Sequence, residues 1–355
     1  MNVVRYNSMW IAIVVLAWCQ GSANAQLPAS NPWHFYQPPG RSQPLSASSS
    51  FDAMSTLTTT PASCVDGSCV SCLSPFGNNA YVIADQGFYE PVFVTTNIDP
   101  FGDFISPITN PVYFEDPRNL TEFRAIFIQQ KVPLPAGCGD FQVYAGQLRA
   151  SLSQNLSFIV NKAGYVSSRN SFVDDGWLDF SAGLKLNLLQ YAGLGKLLST
   201  GFTFETPTGA SSALQGNGDG ELHVFLSGAQ RLGNCAHWMS GFGARIPMNS
   251  TDESQSLYWS NHWDYRVNQR IYLLAELNWF HWLKAGQDGC LCYEGLDLFN
   301  LGTPGVAGND IVTAAVGTKY KTDNNSELGF AFEFPLTERR DILDNRITVD
   351  WIVRF

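Results

Sequence analysis

From about residue 120 to its end, the chain repeats short runs in which apolar and polar side chains alternate. Alternation with period two gives a strand one apolar and one polar face. The last ten residues show it well. Phe355, Val353, Trp351, Val349 and Ile347 share one face, Arg354, Asp350, Thr348 and Arg346 the other, and Ile352 alone breaks the pattern. In 177–189, Leu178, Phe180, Ala182, Leu184, Leu186 and Leu188 oppose Asp179, Ser181, Lys185 and Asn187. In 326–336, Leu328, Phe330, Phe332, Phe334 and Leu336 oppose Glu327, Gly329, Ala331 and Glu333. In 270–284, Ile271, Leu273, Ala275, Leu277 and Trp279 oppose Glu276 and Asn278. The pattern predicts twelve strands: 122–131, 141–152, 155–166, 177–189, 198–207, 221–231, 236–246, 256–266, 270–284, 311–320, 326–336 and 345–355. Alternation is weakest in 141–152 and 236–246.

Two further properties turn this list into an architecture. Most runs are close to the 9–11 residues that a tilted strand needs to cross a bilayer. Their connections also alternate in length. Short turns are predicted near 153–154, 190–197, 232–235, 267–269 and 321–325, and longer loops near 132–140, 167–176, 208–220, 247–255, 285–310 and 337–344. An even strand count with short turns at one end and long loops at the other is the rule for outer-membrane barrels. The expected fold is therefore all-β: an antiparallel transmembrane β-barrel over 119–355, closed by a strand whose Val349, Trp351, Val353 and Phe355 resemble the signal read by the barrel-assembly machinery. Composition agrees. Charged residues make up only 15% of the chain and aromatics 13%, and a mean hydropathy of -0.07 is too polar for a bundle of membrane helices. Trp177, Trp238, Trp259, Trp263, Trp279, Trp282 and Trp351 lie mostly near strand ends, where indole suits the headgroup level. Trp177, on the polar face of its strand, is a candidate for the interior. A net charge of -10 argues against nucleic acid, which requires clustered cations.

The N-terminal part follows other rules. Residues 1–25 read as a cleaved signal peptide, with Arg5, an apolar stretch from Trp10 to Trp18, and Ala23-Asn24-Ala25 before the cut. Trp18 before Cys19 is too large for a lipoprotein signal. Residues 26–118 form a Pro/Ser/Cys-containing extension, expected to be a linker or a plug in the barrel mouth. The mature chain keeps Cys64, Cys69, Cys72, Cys138, Cys235, Cys290 and Cys292. The first three are spaced like iron–sulfur ligands, but an exported compartment favours disulfides. A bond from Cys138 to Cys290 or Cys292 would pin the longest loop, and the odd count leaves at least one thiol over.

The strand charges carry the functional expectation. A basic side chain facing lipid at mid-depth costs about 2–4 kcal/mol, so charges on the polar faces should point inward. Asp179, Lys185, Glu205, Glu276 and Glu333 are the candidate pore-lining residues, within an acid-leaning lumen that would favour cations and neutral solutes. His223, His237, His262 and His281 show no metal-ligand spacing, and Gly216 to Gly220 reads as a loop turn. No nucleophile elbow or phosphate loop occurs. No catalytic residue, metal or cofactor is expected.

The stretch Ser199-Thr200-Gly201-Phe202-Thr203-Phe204-Glu205-Thr206-Pro207-Thr208-Gly209, with Gly216-Asn217-Gly218 and the strand from Glu221 to Ala229, resembles the outer-membrane family named for the MetA pathway of phenol degradation. The resemblance covers about 195–285 and the closing strand, and the cysteine-bearing extension departs from it. It implies a barrel that moves small, often aromatic or apolar, molecules across the outer membrane, with lipid and small solutes as partners and no catalytic residues. Passive transport is thus the leading expectation. An outer-membrane lipid hydrolase would need a Ser–His pair facing lipid, for which His262 beside Ser260 and Asn261 is the local candidate. A closed structural or adhesive barrel presenting 285–310 is the third reading.

Overall fold

The computed structural model describes residues 101–287, 292–322 and 325–355. The expected signal peptide, Cys64, Cys69, Cys72, Cys290 and most of the extension lie outside these residues. Fourteen strand segments follow one another: β1 (Glu122–Lys131), β2 (Asp140–Ser151), β3 (Leu156–Lys162), β4 (Gly164–Ser168), β5 (Gly176–Trp177), β6 (Phe180–Tyr191) and β7 (Lys196–Thr206). The rest are β8 (Glu221–Leu232), β9 (Ala236–Pro247), β10 (Gln255–Arg266), β11 (Ile271–Lys284), β12 (Asp310–Lys321), β13 (Ser326–Pro335) and β14 (Asn345–Arg354). Segments β3 and β4 are two parts of one stave, broken at Ala163, and β5 continues into β6 in the same way. The fourteen segments therefore make the twelve predicted staves.

Each stave pairs antiparallel with its neighbours in sequence, and β1 pairs with both β2 and β14. The β1–β14 ladder runs from Glu122↔Arg354 to Lys131↔Asn345. The sheet has no free edge, which satisfies every ladder position without water. The two weakly alternating runs are full twelve-residue strands. They alternate weakly because inward positions of a filled barrel hold apolar as well as polar side chains.

The faces are inverted relative to a soluble protein. Leu186, Leu188, Phe202, Phe242, Leu273, Val316, Leu328, Phe330 and Trp351 are exposed on the outer surface. Arg124, Lys185, Lys319, Glu327 and Asp350 are buried inside. Ile352, the exception in the closing strand, is fully buried in the interior. Trp177 is 66% exposed and packs edge-on against Tyr165, so it faces outward and not inward. Trp282 departs from the expected aromatic girdle: it is buried, with the Arg339 guanidinium 5.4 Å over its ring. The end carrying the short turns is called the inner end below, and the end carrying the long loops the outer end.

Candidate functional site: a filled lumen

Residues 101–121 precede β1 and run through the barrel interior. Phe104, Ile105, Ile108, Asn110, Phe114, Asp116 and Arg118 are essentially inaccessible. The segment starts near the inner end, reverses direction at Asn110, and returns to the inner end to enter β1. Asn110 has φ 50°, a left-handed conformation that its side chain tolerates, and its carbonyl accepts from the backbone N–H of Tyr113 and Phe114. Up to Thr121, whose carbonyl accepts the Phe355 N–H at 3.0 Å, no residue of the segment joins the barrel ladder. Its irregular backbone therefore needs other partners.

The wall supplies them with side chains. Lys321 donates to the Phe104 carbonyl at 2.9 Å, Lys319 to Ser106 at 2.7 Å and Arg124 to Pro107 at 2.8 Å. Gln147 donates to Pro111, Asn161 to Val112 and Tyr258 to Tyr113, each at 2.7 Å. Lys185 donates to Asp116 and Arg118 carbonyls at 2.6 and 2.7 Å. The Phe114 ring packs with its edge against Gly241, where a Cβ would come within 2.8 Å of it.

Charge holds the same contact together. Asp103 pairs with Arg231 at 2.7 Å and with His237 Nε2 at 3.0 Å. His237 Nδ1 lies 2.7 Å from Asp264, and His262 lies between Asp264 (3.3 Å) and Glu276 (2.6 Å). Glu276 also accepts the backbone N–H of Ile108 at 2.8 Å and of Thr109 at 2.7 Å. Each imidazole stands between two carboxylates, an arrangement satisfied when both ring nitrogens carry protons. The chain Asp103–His237–Asp264–His262–Glu276 thus ties the inner and middle parts of the segment to β9, β10 and β11.

The longest loop closes the outer end. Its own Leu296, Leu298, Phe299 and Leu301 are buried, clustered with Phe141, Val143, Ile311 and Leu343 of the barrel side. Asp297 pairs with Arg346 at 2.8 Å, Asn300 donates to Glu221 at 2.7 Å, and Arg245 donates to the Leu296 carbonyl at 3.0 Å. The described part of 285–310 therefore folds inward over the lumen.

All five candidate pore residues are on the interior side, and each is bonded. Asp179 accepts the backbone N–H of Gly209 and Gly216, Glu205 pairs with Lys162 at 2.5 Å, and Glu333 accepts from Thr313 at 2.6 Å. Lys185 and Glu276 hold the luminal segment as described above. The charges of the lumen are distributed unevenly along its axis. Arg124, Arg149, Lys185, Lys319, Lys321 and Arg354 crowd the inner half of the wall with Glu122, Glu327 and Asp350. The acids Glu205, Glu221 and Glu333 sit toward the outer end, as does Asp179. Asp103 and Glu115 of the segment bring negative charge to the basic half, while Asp116 pairs with the segment's own Arg118 at 2.7 Å. Sequence reasoning missed this complement. The acids were visible, but the segment that carries them has no strand periodicity to place it.

Cys138 and Cys292 carry free thiols, so of the two pairings considered for Cys138 the one with Cys292 is not formed, and Cys290 lies outside the described residues. Both line a cavity of about 640 Å³ at the outer end, with Lys131, Leu134, Tyr293 and Asp344. Cys235 is disulfide-bonded. Among the described residues no histidine, cysteine and carboxylate cluster is arranged to hold a metal ion. His262 and Ser260 are both buried inside the wall, and Ser260 takes a hydrogen bond from Asn110 at 2.8 Å. The lipid-facing Ser–His pair that a hydrolase would need is therefore not made by these two residues.

No protein-family model matches the chain, and no curated protein matches it in sequence. Among solved structures, the chain is similar to the COG4313 outer membrane channel from Pseudomonas putida F1, at 16% identity and a TM-score of 0.49, over 68% of this chain and 98% of that one. It is also similar to KdgM porin (12%, TM-score 0.40, 66% and 99% covered) and NanC porin (6%, 0.42, 66% and 98%). The architecture rests on this chain's own ladder: a closed, twelve-stave antiparallel β-barrel with an apolar outer belt, built for the outer membrane, its interior filled by a segment of the same chain.

Proposed function

We propose that this protein is an outer-membrane channel for passive passage of small molecules, gated by residues 101–121. The observation that carries the reading is the way the segment is held. The wall closes without it, and through 102–117 it is side chains of the wall that hold it, so that part can shift while every stave's ladder stays intact. The resemblance of 199–229 to the phenol-degradation family supports small aromatic or apolar solutes as the class carried. In this reading the segment belongs to an extension that acts as a plug, and the chain reaches the membrane through its signal peptide and the assembly machinery's recognition of the closing strand. Asp179, Lys185, Glu205, Glu276 and Glu333 then act at two levels. Lys185 and Glu276 govern the gate, while Asp179, Glu205 and Glu333 face solutes entering from the outer side. The engaged positions of Ser260 and His262 favour transport over lipid hydrolysis.

Planar-bilayer recording tests this reading. Wild-type protein should give a small conductance, and Glu276→Gln a larger one. No conductance and no liposome swelling from either protein, with lipid release from vesicles instead, would reverse the choice between channel and hydrolase.

A further inference from the structure

The contact around Glu115 has the form of a ligand in a binding site. Arg149 Nε and Nη2 each lie 2.7 Å from one of the two carboxylate oxygens, a bidentate fork, and Lys185 Nζ lies 2.8 Å from Oε1. Such a fork matches the planar two-oxygen geometry of a carboxylate. Both cations belong to the wall, on β2 and β6, whereas Glu115 belongs to the luminal segment. The fork is also positioned independently of the segment. Arg149 Nη1 is held at 2.6 Å by Glu122 of β1, itself paired with Arg354 at 2.9 Å.

Wall charge makes the contact a coupling device. If the segment moves away, Arg149 and Lys185 are left with Glu122, a single acid already shared with Arg354. Two adjacent cations with one shared acid between them repel each other, so an anion is favoured in the place of the one that leaves.

We propose that Arg149 and Lys185 form a carboxylate-binding site in the lumen, that Glu115 is its resident occupant, and that a permeating solute bearing a carboxylate takes its place as the segment shifts. The inference rests on the channel reading and narrows its solutes to carboxylate-bearing ones. Aromatic and apolar acids meet both requirements.

The test uses the folded full-length protein in detergent and calorimetric titration with benzoate or its neutral isostere benzamide. Glu115→Ala empties the site and should bind benzoate at least tenfold more tightly than wild type. Adding Arg149→Gln or Lys185→Gln should remove that gain, and benzamide should respond to none of these changes. Glu115→Gln is the second variant should Glu115→Ala fail to assemble, as judged by heat-modifiable gel migration, and should tighten benzoate binding in the same direction. Equal binding of benzoate and benzamide, or no gain in either Glu115 variant, overturns the proposal and makes Glu115 a structural ion pair only. Conductance on the same samples separates the two readings. A conducting barrel indifferent to carboxylates loses the site and keeps the channel, and a carboxylate-binding barrel that never conducts keeps the site and loses the route.

Discussion

Glu276 joins more of the luminal contact than any other wall carboxylate described above. It accepts from Ile108 N–H, Thr109 N–H, the Thr109 hydroxyl and His262 Nδ1. Breaking such a buried charged cluster at one member costs about 3–5 kcal/mol. Glu276→Gln should therefore speed hydrogen exchange at Ile108 and Thr109 by about 100-fold or more while leaving the ladder amides of β10 and β11 protected. Unchanged exchange at both positions would show that Glu276 does not hold the segment. Gly329 makes a steric counterpart. It faces inward, and a Cβ there would lie 2.1 Å from Asp350 Oδ1 and 2.8 Å from both Ile108 Cδ1 and Lys319 Cε. Gly329→Ala should cost about 1–3 kcal/mol through displacement of the Lys319–Asp350 pair. The readout is a lower temperature for the shift from folded to unfolded gel migration.

At the level of elements, the outer loops carry two carboxylates held away from their ordinary range. Burial pushes Glu253 up to about 8, with the Glu221 charge adding to the rise and Arg245 opposing it. Burial likewise raises Asp341 to about 6 against the opposing pull of Arg339. Both folded values lie above the unfolded ones, so the folded loops bind more protons than the unfolded chain. Their contribution is greatest at low pH and is lost as pH rises, from about 4 to 6 for Asp341 and from about 4.5 to 8 for Glu253. Amide exchange in 248–254 and 336–344, corrected for intrinsic rate, should show weaker protection at pH 9 than at pH 5. Glu253→Gln together with Asp341→Asn should flatten that difference. The longest loop belongs to the same cap, since Glu294 takes the Ser254 hydroxyl at 2.7 Å and the Thr303 N–H at 2.9 Å.

For the whole molecule, the separation of charge along the axis sets the expected selectivity. With the segment in place, its three acids Asp103, Glu115 and Asp116 less its own Arg118, a net -2, offset the basic inner half of the wall. Deleting 101–118 should therefore raise conductance several-fold and turn ion preference toward anions, a bias that weakens in high salt as screening shortens to about 3 Å at 1 M. Reversal-potential measurements across a salt gradient read this directly. A cation-preferring deletion variant would mean that the outer acids, not the inner cations, dominate the field.

What the amino-acid order alone determines is the wall. Alternation at Leu184, Leu186 and Leu188 against Lys185 and Asn187, repeated twelve times with long and short connections, is a local property of adjacent residues. It specifies strand, face and barrel without reference to anything distant. It also placed Lys185, Glu276 and Glu333 inside, because a charge has nowhere else to go in a membrane wall. The filling of that wall was decided by tertiary structure. Glu115 meets Arg149 and Lys185 across 34 and 70 positions, and Asp103 meets His237 across 134. The segment that brings them there has no period to announce it, since its carbonyls are satisfied one by one by side chains of the wall. Such contacts depend on the closed cylinder already holding its donors in place, which is why the lumen could be read as polar from the sequence but not as occupied.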